Sequence, residues 1–174
     1  MINFNTESNS IRFRDTTEND LDFVLEAENH PDNRDFISQW SIEQHRETIA
    51  SDSAFHVICE TVAGGRKIGY MIIYDETKPP LCSIKLQRIV ITEKGQSFGR
   101  KAMQLLKKQV FEVWKAHRLW LDVMQKNVRA QRLYLSEGFT LEGEWRECLK
   151  TPEGYETLLL MSILDREYLK MGDW

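Results

Sequence analysis

Apolar residues change their spacing several times along the chain, and those changes mark out its elements. Strand-length apolar or alternating runs occupy residues 11–14, 54–62, 67–74 and 81–91. Behind Thr17, a residue suited to capping a helix, Leu21, Val24 and Leu25 form an apolar stripe. Ser41 followed by Gln44 is a capping-box pattern that opens a second helix to about Ala50. Between these helices, residues 29–39 carry Pro31, Asn33 and mixed charge, and are predicted to bend. The turn Ala63-Gly64-Gly65-Arg66 joins two strands into a hairpin, since paired glycines supply positive φ. Pro79-Pro80 breaks the chain before the long strand over 81–91.

Ala102, Leu105, Leu106, Val110, Val113 and Trp114 then recur on a helical period, which predicts a core-facing helix running to Lys115. Residues 118–125 alternate as a strand, and Asn127 begins a helix that Gly138 ends. Two last strands flank Thr151-Pro152-Glu153-Gly154. Strands and helices in this order predict an α/β (α+β) fold, with helices covering a mainly antiparallel sheet.

Composition narrows the class without naming a function. The chain has 174 residues, 41% hydrophobic and 29% charged, which suits one folded domain over residues 1–174. No apolar stretch is long enough to span a membrane, and the start MINFNTESNS lacks the basic and apolar parts of a signal peptide, so a cytoplasmic protein is expected. Cys59, Cys82 and Cys148 are odd in number and widely spaced, which argues against a disulfide framework or a zinc site; no metal is expected. A formal charge of −4 with only short basic clusters argues against a nucleic-acid partner and would suit a cationic substrate.

Two segments carry chemistry. Residues 94–101 read KGQSFGRK and lie between a strand and a helix. A helix N-terminus offers unpaired N–H groups and a positive dipole end to an anion. Gly95 and Gly99 permit close approach, and Lys94, Arg100 and Lys101 add charge, so the loop is a candidate phosphate cradle. Farther on, Asn127 and Tyr134 are seven residues apart and share a helix face about 10 Å apart.

These two segments, in this order, resemble the GNAT superfamily of N-acetyltransferases. The loop Lys94-Gly95-Gln96-Ser97-Phe98-Gly99 is similar to the family's Gln/Arg-x-x-Gly-x-Gly/Ala motif. Asn127, Ala130, Tyr134, Gly138 and Phe139 match its Asn-x-x-Ala and Tyr-x-x-x-Gly-Phe helix. The likeness spans most of the chain and is greatest to the ribosomal-protein N-terminal and spermidine acetyltransferase branch. It implies a sheet splayed between its fourth and fifth strands, with helices on both faces, and acetyl-coenzyme A (acetyl-CoA) as cosubstrate. It further implies that Ile89, Val90 and Ile91 offer backbone groups to the pantetheine arm, that Lys94, Gly95, Gln96, Ser97, Phe98, Gly99, Arg100 and Lys101 surround the pyrophosphate, that Asn127 and Ala130 contact the cofactor, and that Tyr134 is the acid facing the departing sulfur.

The motif departs from the family at Lys94, where Gln or Arg is usual, and at Ser97, where glycine is usual. Serine there must take a negative φ or carry a local cost, and its hydroxyl is expected to add a donor to a phosphate. No base stands out: Asp122, Glu26, Glu28 and Glu93 are carboxylates the fold could bring near, and His30, His45, His56 and His117 have no marking spacing. Residues 26–45 and 147–155 are where the resemblance places the acceptor site, with Glu28, Asp32, Asp35, Glu153, Phe36, Trp40, Trp145 and Tyr155.

The function expected is acetyl transfer to a primary amine, foremost a protein or peptide N-terminus. Polyamine or small-amine acetylation and a non-catalytic acyl-CoA sensor are the alternatives. A nucleotide-binding oxidoreductase is disfavoured by the lack of an early Gly-x-Gly-x-x-Gly unit. Many relatives in the resembling branch pair as dimers, so a homodimer is a further expectation.

Overall fold

The structure, a computed structural model, describes residue 4 and residues 6–172. One sheet contains eight strands: β1 (Thr6–Glu7), β2 (Ile11–Asp15), β3 (Ala54–Thr61), β4 (Lys67–Glu76), β5 (Ser83–Ile91), β6 (Arg118–Met124), β7 (Thr140–Thr151) and β8 (Gly154–Leu164). Their spatial order is β1-β2-β3-β4-β5-β6-β8-β7. Every neighbouring pair is antiparallel except β5 and β6, which run parallel. The two-residue β1 shifts the count, so the strands expected to splay as fourth and fifth are β5 and β6.

Helices cover both faces. Helix α1 (Leu21–Asn29), the short α2 (Pro31–Arg34) and α3 (Ile42–Ile49) precede β3; α4 (Phe98–Lys108) and α5 (Val128–Ser136) flank β6; α6 (Asp165–Tyr168) follows β8. The predicted capping box opens α3: Ser41 Oγ accepts the Gln44 N–H at 3.3 Å, and Gln44 Oε1 accepts the Ser41 N–H at 2.8 Å. Thr17 acts through a tight turn instead, giving both its N–H and its hydroxyl to Asp20 at 2.9 Å. The helix predicted to reach Lys115 stops being regular at Lys108 and continues as one wider turn over Gln109–Val113.

Alternate positions of the central strands feed two cores. Val57 and Cys59 of β3 and Met71 and Ile73 of β4 join Ala102, Met103, Leu105 and Leu106 of α4. Their neighbours Ile58, Tyr70 and Ile72 join Val24 and Ala27 of α1. Strands buried on both faces read as unbroken apolar runs, which is why β3 and β4 lack clean alternation.

The α1 side also buries a histidine. His56 is 4% exposed and stacks on Tyr70 at 5.5 Å between ring centroids. Burial, reinforced by neighbouring His45, pushes its pKa from the ordinary 6.5 down to about 3. Between those values the unfolded chain binds a proton that the folded chain does not, so stability rises with pH. The contribution of neutral His56 is therefore whole above pH 6.5 and is lost as pH falls toward 3. Thermal unfolding from pH 7 to pH 4 should show a falling midpoint, with a shallower fall in His56→Gln; equal slopes would contradict this account.

Candidate active site

Strand β5 pairs with β6 only over Ser83–Leu86 against Arg118–Leu121, whereas β6 stays paired with β8 along its whole length. Past Leu86 the strands part, and the parting begins at a bulge. Arg88 and Leu86 oppose Ile72 and Ile73 of β4, and Gln87 is the extra residue. This slip reverses the facing of β5. Ile84 and Leu86 belong to the core under α4, while Val90 belongs to the α1 core and Arg88 bonds Glu28 on α1.

A cleft of about 860 Å³ opens at this gap, walled by β5 from Lys85 to Ile91, by Leu121–Met124 of β6, and by the first turns of α4 and α5. Among the described residues, the β5 edge facing β6 has no strand partner beyond Leu86. Backbone polar groups along such an edge can pair with an extended, amide-containing ligand.

At one end lies the glycine loop. Ser97 precedes α4 with φ of +60°, so of the two outcomes open to it the local cost is the one found. Its side chain does not cap the helix. Among the described residues, the N–H groups of Phe98, Gly99 and Arg100 therefore have no acceptor, and the positive end of α4 is left for an anion. Gly95, with φ of +78°, has open space where a Cβ would stand. A left-handed serine costs ~1–2 kcal/mol, partly offset in a glycine variant by the entropy glycine loses on folding. Ser97→Gly should raise urea-unfolding stability by up to about 1 kcal/mol, and Ser97→Ala should not. Destabilisation by Ser97→Gly would show that the hydroxyl, not the backbone, governs the loop.

The expected cofactor residues divide. Ile89, Val90, Ile91, Lys94, Gly95, Ser97, Phe98, Gly99, Arg100, Asn127 and Ala130 all line the cleft; Gln96 and Lys101 do not. Gln96 sits exposed on the loop, and the Lys101 ammonium lies 5.5 Å over the Phe98 ring. The charges expected of Lys94 and Arg100 are engaged within the protein. Lys94 Nζ donates to Asn33 Oδ1 at 2.6 Å and to the Ile91 carbonyl, and Arg100 pairs with Glu137. Burial, together with the nearby charge of Arg129, lowers the Lys94 pKa against the opposing effect of Asp32. Arg129, unnoticed in the sequence, lines the cleft on α5 and makes no ion pair among the described residues. Asn127 caps α5, its Oδ1 accepting the Ala130 N–H at 3.1 Å, which leaves its amide NH₂ for a ligand.

Tyr134 is 6% exposed, packs 5.8 Å from Phe139 between centroids, and lines the cleft. Burial first, and the charge of Asp122 second, raise its pKa well above the ordinary 10.0. The hydroxyl thus stays protonated and can serve as a hydrogen-bond or proton donor. Asp122 also lines the cleft and pairs with Lys85 Nζ at 3.0 Å. Its neighbours Leu121 and Val123 enter the core under α4, so strand alternation sends Asp122 to the opposite face. Tyr134 belongs to the α4 side. The gap between β5 and β6 is therefore flanked by a protonated hydroxyl on one side and a carboxylate on the other.

Of the residues expected around an acceptor, Asp32, Phe36 and Trp145 line the cleft, while Asp35, Glu153 and Tyr155 do not. Glu93 lines it as well, paired with Arg66. Glu28 is wholly buried, which removes it as a base in direct contact with an amine, and Glu26 is exposed outside the cleft. His45 and His56 are buried, and none of the four histidines lines the cleft.

The sequence profile of the Acetyltransferase (GNAT) family matches residues 21–139, more than half of the chain, and the chain belongs to that family. A spermine/spermidine N(1)-acetyltransferase of Bacillus subtilis is 34% identical over 61 residues, a match spanning 34% of this chain and 40% of that relative's length. A crystal structure of spermidine N-acetyltransferase from Vibrio cholerae in complex with CoA and spermine superposes with a TM-score of 0.81 at 22% identity, covering 93% of this chain and 99% of that one.

Proposed function

We propose that the protein transfers the acetyl group of acetyl-CoA to a primary amine of a polyamine. The observation that carries this reading is that Tyr134 and Asp122 both line the cleft where β5 and β6 part, close enough for the Asp122 charge to act on the Tyr134 hydroxyl. The similarity to the polyamine acetyltransferases of Bacillus subtilis and Vibrio cholerae supports a polyamine over a peptide N-terminus, the acceptor the sequence suggested first. The cleft lining carries charges of both signs, Asp32, Glu93 and Asp122 beside Lys85, Arg88, Lys94, Arg100, Lys126 and Arg129, and at Trp145 it adjoins a smaller pocket bordered by Glu144, Arg146 and Glu147.

Acetyl-CoA, when bound, supplies an activated thioester. The free N–H groups of Phe98, Gly99 and Arg100, with Arg129, suit its pyrophosphate, and the unpaired edge of β5 from Gln87 to Ile91 suits its amide-bearing arm. Asp122 accepts the proton that the ammonium must lose before its nitrogen can attack the carbonyl carbon. Tyr134 donates to the sulfur as the carbon–sulfur bond breaks, and the proton that the nitrogen sheds on becoming an amide restores the hydroxyl through solvent.

Thiol release from acetyl-CoA, measured with spermidine, spermine and peptides beginning Ala, Ser or Met, tests the proposal. The polyamines should give the highest kcat/KM, and Asp122→Asn should lower it about 10²-fold. Preference for a peptide would sink the polyamine assignment, and full activity of Asp122→Asn would remove it as the base.

A further inference from the structure

Beneath the acceptor end lies a carboxylate with no solvent contact. Glu28 on α1 is 0% exposed. It accepts hydrogen bonds from the Tyr70 hydroxyl on β4, the Arg88 guanidinium on β5 and the Trp40 N–H at 3.0 Å. His45 Nε2 on α3 lies 3.3 Å away. A chain of polar atoms continues behind it: His45 Nδ1 is 3.0 Å from His56 Nε2, and His56 Nδ1 is 2.9 Å from Thr16 Oγ1. One arrangement of donors fits throughout, with Thr16 giving its O–H to His56, His56 giving Nε2–H to His45, and His45 turning Nε2–H toward Glu28. Burial alone would raise the Glu28 pKa, but His45, Arg88, Tyr70 and the Trp40 N–H together hold it below the ordinary carboxylate range.

Burying an ion pair rarely adds stability over apolar packing, so this cluster calls for another account. Its connections supply one. Arg88 lines the cleft one residue past the bulge, where β5 leaves β6, and its guanidinium carbon lies 4.3 Å from the Trp40 ring centroid. Trp40 closely follows Phe36, Ile37 and Ser38, which form the facing wall of the cleft. Glu28 thus holds the bulged edge of β5 through Arg88 and the facing wall through the Trp40 N–H. Among the described residues its hydrogen bonds and ion pairs include none to the glycine loop or to Asn127.

We propose that Glu28 is a positioning residue for the acceptor: by locking the β5 bulge and the Phe36–Ser38 wall at a fixed spacing, it sets acceptor affinity, while the pyrophosphate end of the cleft at the first turn of α4, which anchors the cofactor, is left unchanged. This rests on the acetyl-transfer reading of the cleft. Two variants test it by steady-state kinetics with each substrate varied in turn, alongside thermal unfolding. Glu28→Gln keeps the shape but removes the charge that holds Arg88. It should raise the acceptor KM about tenfold while the acetyl-CoA KM stays within about twofold, the loss of one charge-assisted hydrogen bond. Glu28→Leu combined with Arg88→Met replaces the buried pair with apolar groups, so stability should return while the acceptor KM stays raised about tenfold. Equal effects on both KM values, or a double variant with wild-type acceptor KM, would show a merely structural role and overturn the assignment. Wild-type protein that turns over no amine would overturn the acetyl-transfer reading itself, and the assignment with it.

Discussion

Tyr134→Phe should lower kcat about 10²-fold and leave the acetyl-CoA KM nearly unchanged, the range for losing one general acid. The substitution removes a single oxygen from a ring that packs against Phe139 and is 6% exposed, so the ring's packing and the course of α5 should persist. Among the described residues the hydroxyl has no hydrogen-bond partner, so no internal contact is broken by removing it. What is lost is a proton donor that burial and Asp122 keep protonated. The effect therefore belongs to kcat, where an interaction made only in the transition state appears. Rapid-mixing measurement of thiol release separates chemistry from product release. Unchanged single-turnover rates would remove Tyr134 from the reaction.

Glu137→Ala should cost about 3–5 kcal/mol of folding stability, a large part of what a domain of this size has. Glu137 is 0% exposed, and one of its carboxylate oxygens lies 3.0 Å from Lys107 Nζ, itself 0% exposed, while the other pairs with Arg100. Both cations are on α4, and Glu137 follows the last turn of α5, three residues beyond Tyr134. Removing the carboxylate takes a charged partner from the fully buried Lys107 ammonium, whose desolvation is then less well offset. The Glu137 carbonyl, which accepts from Lys107 Nζ at 2.8 Å, survives the change and sets the lower end of the range. Urea unfolding monitored by tryptophan fluorescence would measure the loss, and a change below about 1 kcal/mol would mean that the pair is solvated or redundant.

The elements were legible because each carries local punctuation. The Ser41–Gln44 box, the Gly64–Gly65 turn and the left-handed Gly138 declare themselves within a few residues, and α4 and α5 show their apolar faces. The cleft-lining stretch of β5 was visible through the motif that follows it. What stayed hidden depends on pairing between distant strands. The bulge at Gln87 leaves no local trace, because Ile84, Leu86, Val90 and Ile91 are apolar whichever face they take. Lys94 reads as a phosphate ligand until α2 brings Asn33 to its ammonium. Arg129 reads as an ordinary helix charge until the α5 N-terminus is set beside the cleft. Glu28 joins residues 12 to 60 positions away, and no local pattern announces a partner at such a distance.

Mass spectrometry of spermidine incubated with acetyl-CoA and the purified protein tests the central claim most directly. Acetyl transfer at the β5–β6 gap predicts spermidine carrying one added acetyl group, formed in step with free thiol and greatly slowed in Tyr134→Phe. Thiol released while spermidine stays unmodified, or product formed equally well by Tyr134→Phe, would contradict it.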